Sequence, residues 1–329
     1  MNYKTIALIV SLIFSIGICH SQNSNKTVKA KKGEGVYSLL KRNGLSPSEH
    51  LNDFIKLNKG KLGKNNALIV GRTYYLPSTP AAVASSRSYS IFGKKYAKIN
   101  PKSSKLKGMV YYLVSGHGGP DPGAVGRYGK YKLCEDEYAY DVTLRLAHNL
   151  MEHGALVYMI TRDPNDGIRD SKILKPDKDE VCYPKLRIPL NHIARLRQRK
   201  NAVNKLYKKH KGKRQRAIII HVDSRSKRQN IDVFFYYDKR SKVGRKLASN
   251  LLNTFNQKYR KHQPGRGYEG SISSRNLYVL KHTYPPATFI ELGNINHSRD
   301  RKRFLQKENR MALANWLTDG ILLDASNNK

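Results

Sequence analysis

The sequence predicts an α/β fold, a mostly parallel sheet flanked by helices, preceded by a small N-terminal module. Three observations carry this. From about residue 107 onward, short apolar runs alternate with longer runs of helical periodicity, the pattern of strands covered on both faces. Three of the apolar runs also stop abruptly at a polar residue. Val110–Ser115 runs into Gly116-His117, Ala217–Ile220 into His221, and Ala287–Ile290 into Glu291. In open α/β sheets, sites form where strands end. Finally, 329 residues leave room for a full core and a second, smaller unit.

Taken in order, residues 1–21 read as a signal peptide. Lys4 precedes an apolar run, Ile6 to Ile18, that is short for a membrane span, and small residues stand before a cleavage point at Gln22. Acylation of Cys19 is the competing reading, and Ile18 directly before the cysteine fits it poorly. Either way the chain is expected to be exported, to a periplasmic or cell-envelope location. No later segment is apolar enough to span a bilayer.

Residues 26–77 form a compact module. Val28 to Leu39 reads as a strand, a Lys31-Lys-Gly-Glu34 turn and a helix start. Ser46 is a candidate N-cap with Pro47 just inside the second helix. Leu51, Phe54 and Ile55 supply packing, and Leu68 to Pro77 closes the module with a strand. Residues 78–106, which open with Pro80-Ala-Ala-Val-Ala-Ser-Ser and continue basic and Ser-containing, are expected to be a linker.

In residues 107–329 the expected strands are Met109–Val114, Leu156–Thr161, Ala217–Val222, Val233–Tyr237, Leu277–Leu280 and Ala287–Glu291. The expected helices are Asp136–His153, Ile193–Lys209, Val243–His262 and Met311–Leu323. In the first of these, Tyr140, Leu144, Ala147 and Met151 share one face. An insertion at 163–190 carries four prolines and the acidic run Asp177-Lys-Asp-Glu180.

Charge narrows the partner. Sixty-two Lys and Arg against 24 Asp and Glu give a net charge of +38, which points to a polyanion rather than to a fold. Nucleic acid is the usual partner of so basic a chain, but export argues against it, and no nucleic-acid motif is present. Cell-wall polymers with free carboxylates are the anions outside the membrane. The basic stretch Ile193 to Arg216 suits encounter with such a substrate.

The chemistry gathers at the strand ends. Two histidines and a glutamate, with a further glutamate nearby, match a three-ligand hydrolytic zinc site with a general base. The segment His117-Gly-Gly-Pro-Asp-Pro-Gly-Ala-Val-Gly126 is followed by a glutamate opening a helix, by Ile-His221-Val-Asp-Ser, and by Tyr278-Val-Leu, Pro286 and Glu291-Leu-Gly293. In this order, over about two thirds of the chain, these motifs resemble the zinc-dependent N-acetylmuramoyl-L-alanine amidases, which cut stem peptides from peptidoglycan. An ungapped placement of Asp141-Val-Thr-Leu-Arg-Leu146 on the family's helix selects Glu135 over Glu137. The resemblance implies Zn2+ held by His117, Glu135 and His221, with Glu291 as general base and then proton donor to the leaving amine. Peptidoglycan is the implied partner, and any regulator is unknown.

Asp121 reads as a cap of the Gly-rich loop, Arg199 as a loop tie and Asp223 as a support for His221. Where the family has an aromatic residue and then an asparagine after Glu-Xaa-Gly, this chain has Asn294 and His297. Residues 26–77 resemble a divergent LysM glycan-binding repeat, through the Lys-Lys-Gly-Glu turn, Asn58 and the Val70-Gly-Xaa-Xaa-Tyr-Xaa-Leu-Pro77 ending. Gly35 stands where that family prefers Thr or Ser.

Two other functions stay open at this stage: a catalytically inactive peptidoglycan-binding protein, and a zinc peptidase acting on another stem-peptide bond. Cys134 and Cys182, the cysteines left after export, are a disulfide candidate that would pin the insertion beside the site, with Glu180 close to it.

Overall fold

The computed structural model describes residues 26–77 and 87–327. The signal-peptide reading of 1–21, including Cys19, lies outside them. Chain contacts divide the molecule into two units, 1–81 and 82–329.

The first unit has βααβ order. Strand β1 (Thr27–Lys29) is followed by helices α1 (Val36–Arg42) and α2 (Pro47–Leu57), and β2 (Thr73–Tyr75) returns antiparallel to β1. Its core is small: Leu39, Leu40, Phe54 and Tyr74 are fully buried. The turn after β1 needs Gly33 at φ 74° and is clamped by Glu34, which accepts from the Lys31 amide at 3.0 Å and pairs with Arg42 Nε at 2.6 Å. Asn58 is wholly buried. Its amide donates to the carbonyls of Phe54 and Tyr75 and its oxygen accepts from the Tyr75 amide, which stitches α2 to β2. Pro47 occupies the first helical turn, but Ser46 does not cap it. The Ser46 hydroxyl pairs with that of Ser48 instead.

The second unit begins earlier than the sequence suggested. Arg87 to Leu106 is not a linker. β3 (Arg87–Ser88) pairs with β4 (Lys98–Ile99), and Phe92, Ile99 and Leu106 are buried in the main core, so this segment loses more by solvation than a linker would. Lys95 and the Tyr96 hydroxyl both donate to Asp170.

The central strand β5 (Met109–Ser115) leads into the Gly-rich loop and a hairpin, β6 (Val125–Tyr128) and β7 (Tyr131–Cys134), that the sequence reading missed. Its four-residue strands interleave exposed Val125, Tyr128 and Tyr131 with Gly126, Arg127 and Lys132, which leaves no apolar run to find. Helix α3 (Glu135–Glu152), strands β8 (Leu156–Met159), β9 (Thr161–Arg162), β10 (Val181–Cys182) and β11 (Leu186–Arg187), and helix α4 (His192–Lys209) follow. β9, β10 and β11 form a small antiparallel sheet that anchors the 163–190 insertion. Then come β12 (Arg214–Asp223), β13 (Phe234–Tyr237), α5 (Lys242–His262), β14 (Ser271–Ser274), α6 (Tyr278–His282), β15 (Ala287–Asn294), α7 (Ser298–Leu305) and α8 (Lys307–Ser326).

The main sheet runs β14-β13-β15-β12-β5-β8, and only the β13–β15 pair is antiparallel. Strand alternation sorts side chains onto its two faces. Tyr111, Leu113, Ile218 and Ile220 pack under α3, α5 and α8, whereas Tyr112, Val114, Ala217 and Ile219 pack under α4 and α6. The run expected as a strand, Leu277–Leu280, is instead the short helix α6. β15 is already flanked by β12 on one side and β13 on the other, so no edge remains for it, and Val279 and Leu280 pack as helix residues against the sheet. The edge strand β14, Ser-Ile-Ser-Ser, carries almost no apolar signal and was missed for that reason.

Candidate metal centre and active site

Sheet register builds the site. Ser115 lies beside Ile220, and His221 lies directly beside Glu291, so the ends of β5, β12 and β15 meet at one edge. Helix α3 starts over that edge. The Glu135 amide donates to the Ala124 carbonyl at 2.9 Å, and the Ala124 amide donates back to Glu135 Oε2 at 2.8 Å. This reciprocal latch fixes the helix start against the Gly-rich loop. Glu135 Oε1 accepts from the Val222 amide at 3.0 Å and lies 2.8 Å from His221 Nδ1, and Glu135 Oε2 lies 3.3 Å from His117 Nε2. One donor atom from each of His117, Glu135 and His221 lies within 4.8 Å of the others.

The backbone is shaped for this convergence. His117 itself adopts φ 58°, a conformation few non-glycine residues take, and sparsely populated backbone of this kind clusters at functional sites. A Cβ on Gly123 would stand 2.6 Å from Glu135 Oε2 and 2.6 Å from the His117 ring, so only glycine lets the loop close over these two side chains.

The His117 ring is held from behind. Its Nδ1 lies 2.8 Å from Asp121 Oδ2, which also accepts from Arg195 Nη2 at 2.7 Å, and Asp121 Oδ1 accepts from the Gly123 amide at 3.2 Å. Asp121 is thus both the expected loop cap and a carboxylate that orients the imidazole, a role the sequence reading did not give it. The spacing of four residues from His117 was the available signal. The His117 bond and the Arg195 charge hold its carboxyl well below the usual range. Arg199 donates to the His117 carbonyl, the loop tie expected of it. Two arginines of the basic helix α4 therefore brace the site rather than face solvent.

Glu291 is not one of the three converging donors. Its Oε2 is buried and has no hydrogen-bond partner. Burial, reinforced by the Glu135 and Asp223 carboxylates, pushes its carboxyl well above the usual range, while Arg225 and Arg275 pull the other way. Asp223 does not support His221 as expected. It pairs with Arg225 Nε at 2.6 Å and accepts from the Ser224 amide, because a register irregularity after His221 turns it away. Asn294, which departs from the family pattern, is buried. It donates to the carbonyls of Ser226 and Gln229 and accepts from the Arg225 amide, fastening the loop after β12.

The cysteine pairing is corrected too. Cys134 and Cys182 are both free and buried, Cys134 at the start of α3 and Cys182 in the apolar layer under α4. Burial pushes both thiols up to about 11, so neither is poised to react. The insertion still reaches the site, by another route. Glu180 Oε2 accepts from the Gly119 amide at 2.5 Å, within the loop that carries His117.

Fold and site together define the class, an α/β protein with a His/Glu group able to hold a divalent metal at the carboxyl edge of its sheet. Comparison with known proteins gives the family. The sequence profile of the N-acetylmuramoyl-L-alanine amidases, Amidase_3, matches residues 112–322, and the chain belongs to that family of peptidoglycan hydrolases. It is 27% identical over 234 residues to the germination-specific N-acetylmuramoyl-L-alanine amidase of Bacillus subtilis (strain 168), covering 68% of this chain and 82% of that protein. The probable cell wall amidase LytH of Staphylococcus aureus is 25% identical over 227 residues, covering 67% of this chain and 60% of LytH. Among solved structures, the CwlD amidase of Clostridioides difficile in complex with the GerS lipoprotein matches with a TM-score of 0.50 at 18% identity. That match covers 67% of this chain and 99% of CwlD and is a likeness of fold. No helix among the described residues is long and apolar enough to cross a membrane.

Proposed function

We propose that the protein is an exported, zinc-dependent enzyme that hydrolyses the amide between N-acetylmuramic acid and L-alanine, with His117, Glu135 and His221 as ligands and Glu291 as the proton-transfer group. The observation that carries this is the meeting of two ring nitrogens and Glu135 beside a buried carboxylate with an unpartnered oxygen. Two imidazoles and one carboxylate are a donor set that suits zinc and leaves a coordination position open. Zinc held there supplies Lewis acidity and a bound water acidic enough to ionise near neutral pH.

The chain's own residues do the rest. Asp121 fixes the His117 ring so that Nε2, not Nδ1, faces Glu135. Glu291, one strand over from His221, takes the proton of the attacking water and returns it to the leaving amine. The βααβ unit, residues 26–77, is read as a LysM-like anchor on glycan, and the net charge of +38 favours the anionic wall.

The test is digestion of purified peptidoglycan with and without chelator, with the new ends identified by mass spectrometry. The expected products are a free lactyl carboxyl on muramic acid and stem peptides with a free N-terminal alanine, abolished by chelator and restored by zinc. Cleavage within the stem peptide would make the protein a peptidase. Sedimentation with sacculi but no new ends would make it a binding protein.

A further inference from the structure

The first turn of α3 presents three consecutive carboxylates, Glu135, Asp136 and Glu137, and only the first faces the histidines. The other two meet the insertion. One oxygen each from Asp136, Glu137 and Glu180 lies within 4.8 Å of the others, and Asp163, Asp177 and Glu180 form a second such group. Oxygens sharing one ion at about 2.3–2.6 Å can stand no further apart than about 5 Å. Asp136, Glu137 and Glu180 are 2%, 1% and 5% exposed, in a chain where basic residues outnumber acidic ones 62 to 24.

Burying carboxylates together is costly unless something positive is with them. Arg169 provides part of it, 2.8 Å from Glu137 Oε2, and the Asp177 amide donates to Glu137 Oε1 at 3.0 Å. Asp136 receives no such help. Its Oδ1 accepts from the Glu137 amide, but its Oδ2 is buried with no partner, and the charges pressing on it are those of Glu137, Glu180 and Glu135, all negative. An oxygen so placed, in a cluster of oxygen donors only, is suited to a hard cation and not to zinc.

We propose that Asp136, Glu137 and Glu180 form a second, calcium-binding site, with Asp163 and Asp177 beside it, that locks the 163–190 insertion onto the first turn of α3. The consequence reaches the catalytic edge through Glu180, which also accepts from the Gly119 amide, two residues from His117. Calcium would order the wall of the substrate cleft without touching the reacting atoms.

The experiment titrates calcium chloride into the zinc-loaded full chain by calorimetry and follows thermal unfolding in parallel, with magnesium chloride as the control. One equivalent is expected to bind at roughly 10⁻⁴–10⁻³ M, the range of extracellular calcium modules, and to raise the melting temperature. Asp136→Asn and Glu180→Gln should each weaken binding at least about tenfold, since each removes a charged ligand. His117→Ala and His221→Ala should keep it, which separates this site from the catalytic one. Asp177→Asn, at an exposed position, guards against misfolding of the buried variants and should weaken binding by a smaller factor. No binding at millimolar calcium, equal responses to magnesium, or affinity unchanged in all three acidic variants overturns the proposal.

Discussion

Glu135 and Glu137 stand two residues apart on one helical turn, yet they live in different chemistry. Glu135 is met by two imidazoles and two backbone amides, a mixed nitrogen and oxygen environment closed by glycine backbone. Glu137 is met by Arg169, the Asp177 amide and further carboxylates from the insertion. A helix turns about 100° per residue, so neighbours in sequence face different partners. The difference shows that the metal-binding assignment belongs to what the surrounding loops bring to each position, not to the acidic residues themselves.

The sharpest way to break this comparison is to remove each carboxylate in turn. Glu135→Ala should lose the bound metal and all measurable turnover, read by metal analysis and peptidoglycan digestion. Glu137→Ala should retain metal but lose stability, by about 1–3 kcal/mol, because Arg169 keeps Asp166 but loses its more deeply buried carboxylate partner. The reverse pattern would exchange the roles of the two residues.

Next in size is Glu291→Gln. It should keep metal stoichiometry near one and lower turnover by about 10²–10⁴, the span typical of a proton-transfer group. Metal loss in this variant would make Glu291 a ligand. Asp121→Asn should follow, weakening metal affinity by about 10–100-fold through a loosened His117 ring. Equal affinity in a competition titration would reduce Asp121 to a loop cap.

The insertion side predicts a pH dependence. Burial, together with Glu137 and Asp163, raises the Glu180 carboxyl from 4.5 to about 7, although the Gly119 amide opposes the shift. The folded state therefore holds a proton that the unfolded chain releases. Its contribution is complete below about pH 4.5 and is lost as pH rises through 7, by linkage. In calcium-free buffer, the melting temperature of the native chain should fall across this window more steeply than that of Glu180→Gln, and parallel curves would exclude Glu180 as the source.

The smallest expected effect concerns the N-terminal unit. Removing residues 22–86 should leave turnover on soluble fragments unchanged within about twofold, as expected for a domain with its own core. Retention on sacculi should fall, measured by co-sedimentation. A cut at 106 would instead destabilise the enzyme, because Phe92, Ile99 and Leu106 belong to its core.

Much of this architecture was legible in sequence for local reasons. The continuous apolar runs of β5 and β12 and the helical periodicity in α3 and α5 reflect burial, which acts residue by residue on local geometry. The polar residues His117, His221 and Glu291 marked the catalytic edge because each interrupts an apolar run, although β12 and β15 continue past them to Asp223 and Asn294. What stayed hidden was weak in local signal. The polar strand β14 and the hairpin β6–β7 have little apolar pattern, and the Arg87–Leu106 segment packs with scattered apolar residues in a basic, Ser-containing stretch that reads as linker.

The sequence by itself determined five of the six strands of the main sheet, the four long helices that cover it and the polar residues at the ends of their apolar runs. Only the tertiary structure decided which carboxylate of α3 meets the histidines, that Asp121 steadies His117 from behind, that Asp223 turns away to Arg225, and that Cys134 and Cys182 remain apart. It also decided that Glu180 reaches Gly119 across 61 residues of chain. The physical reason is the range of the forces. Patterning records whether a position is buried, whereas a hydrogen bond between distant residues depends on the path of every loop between them, and no local period in the chain encodes that path.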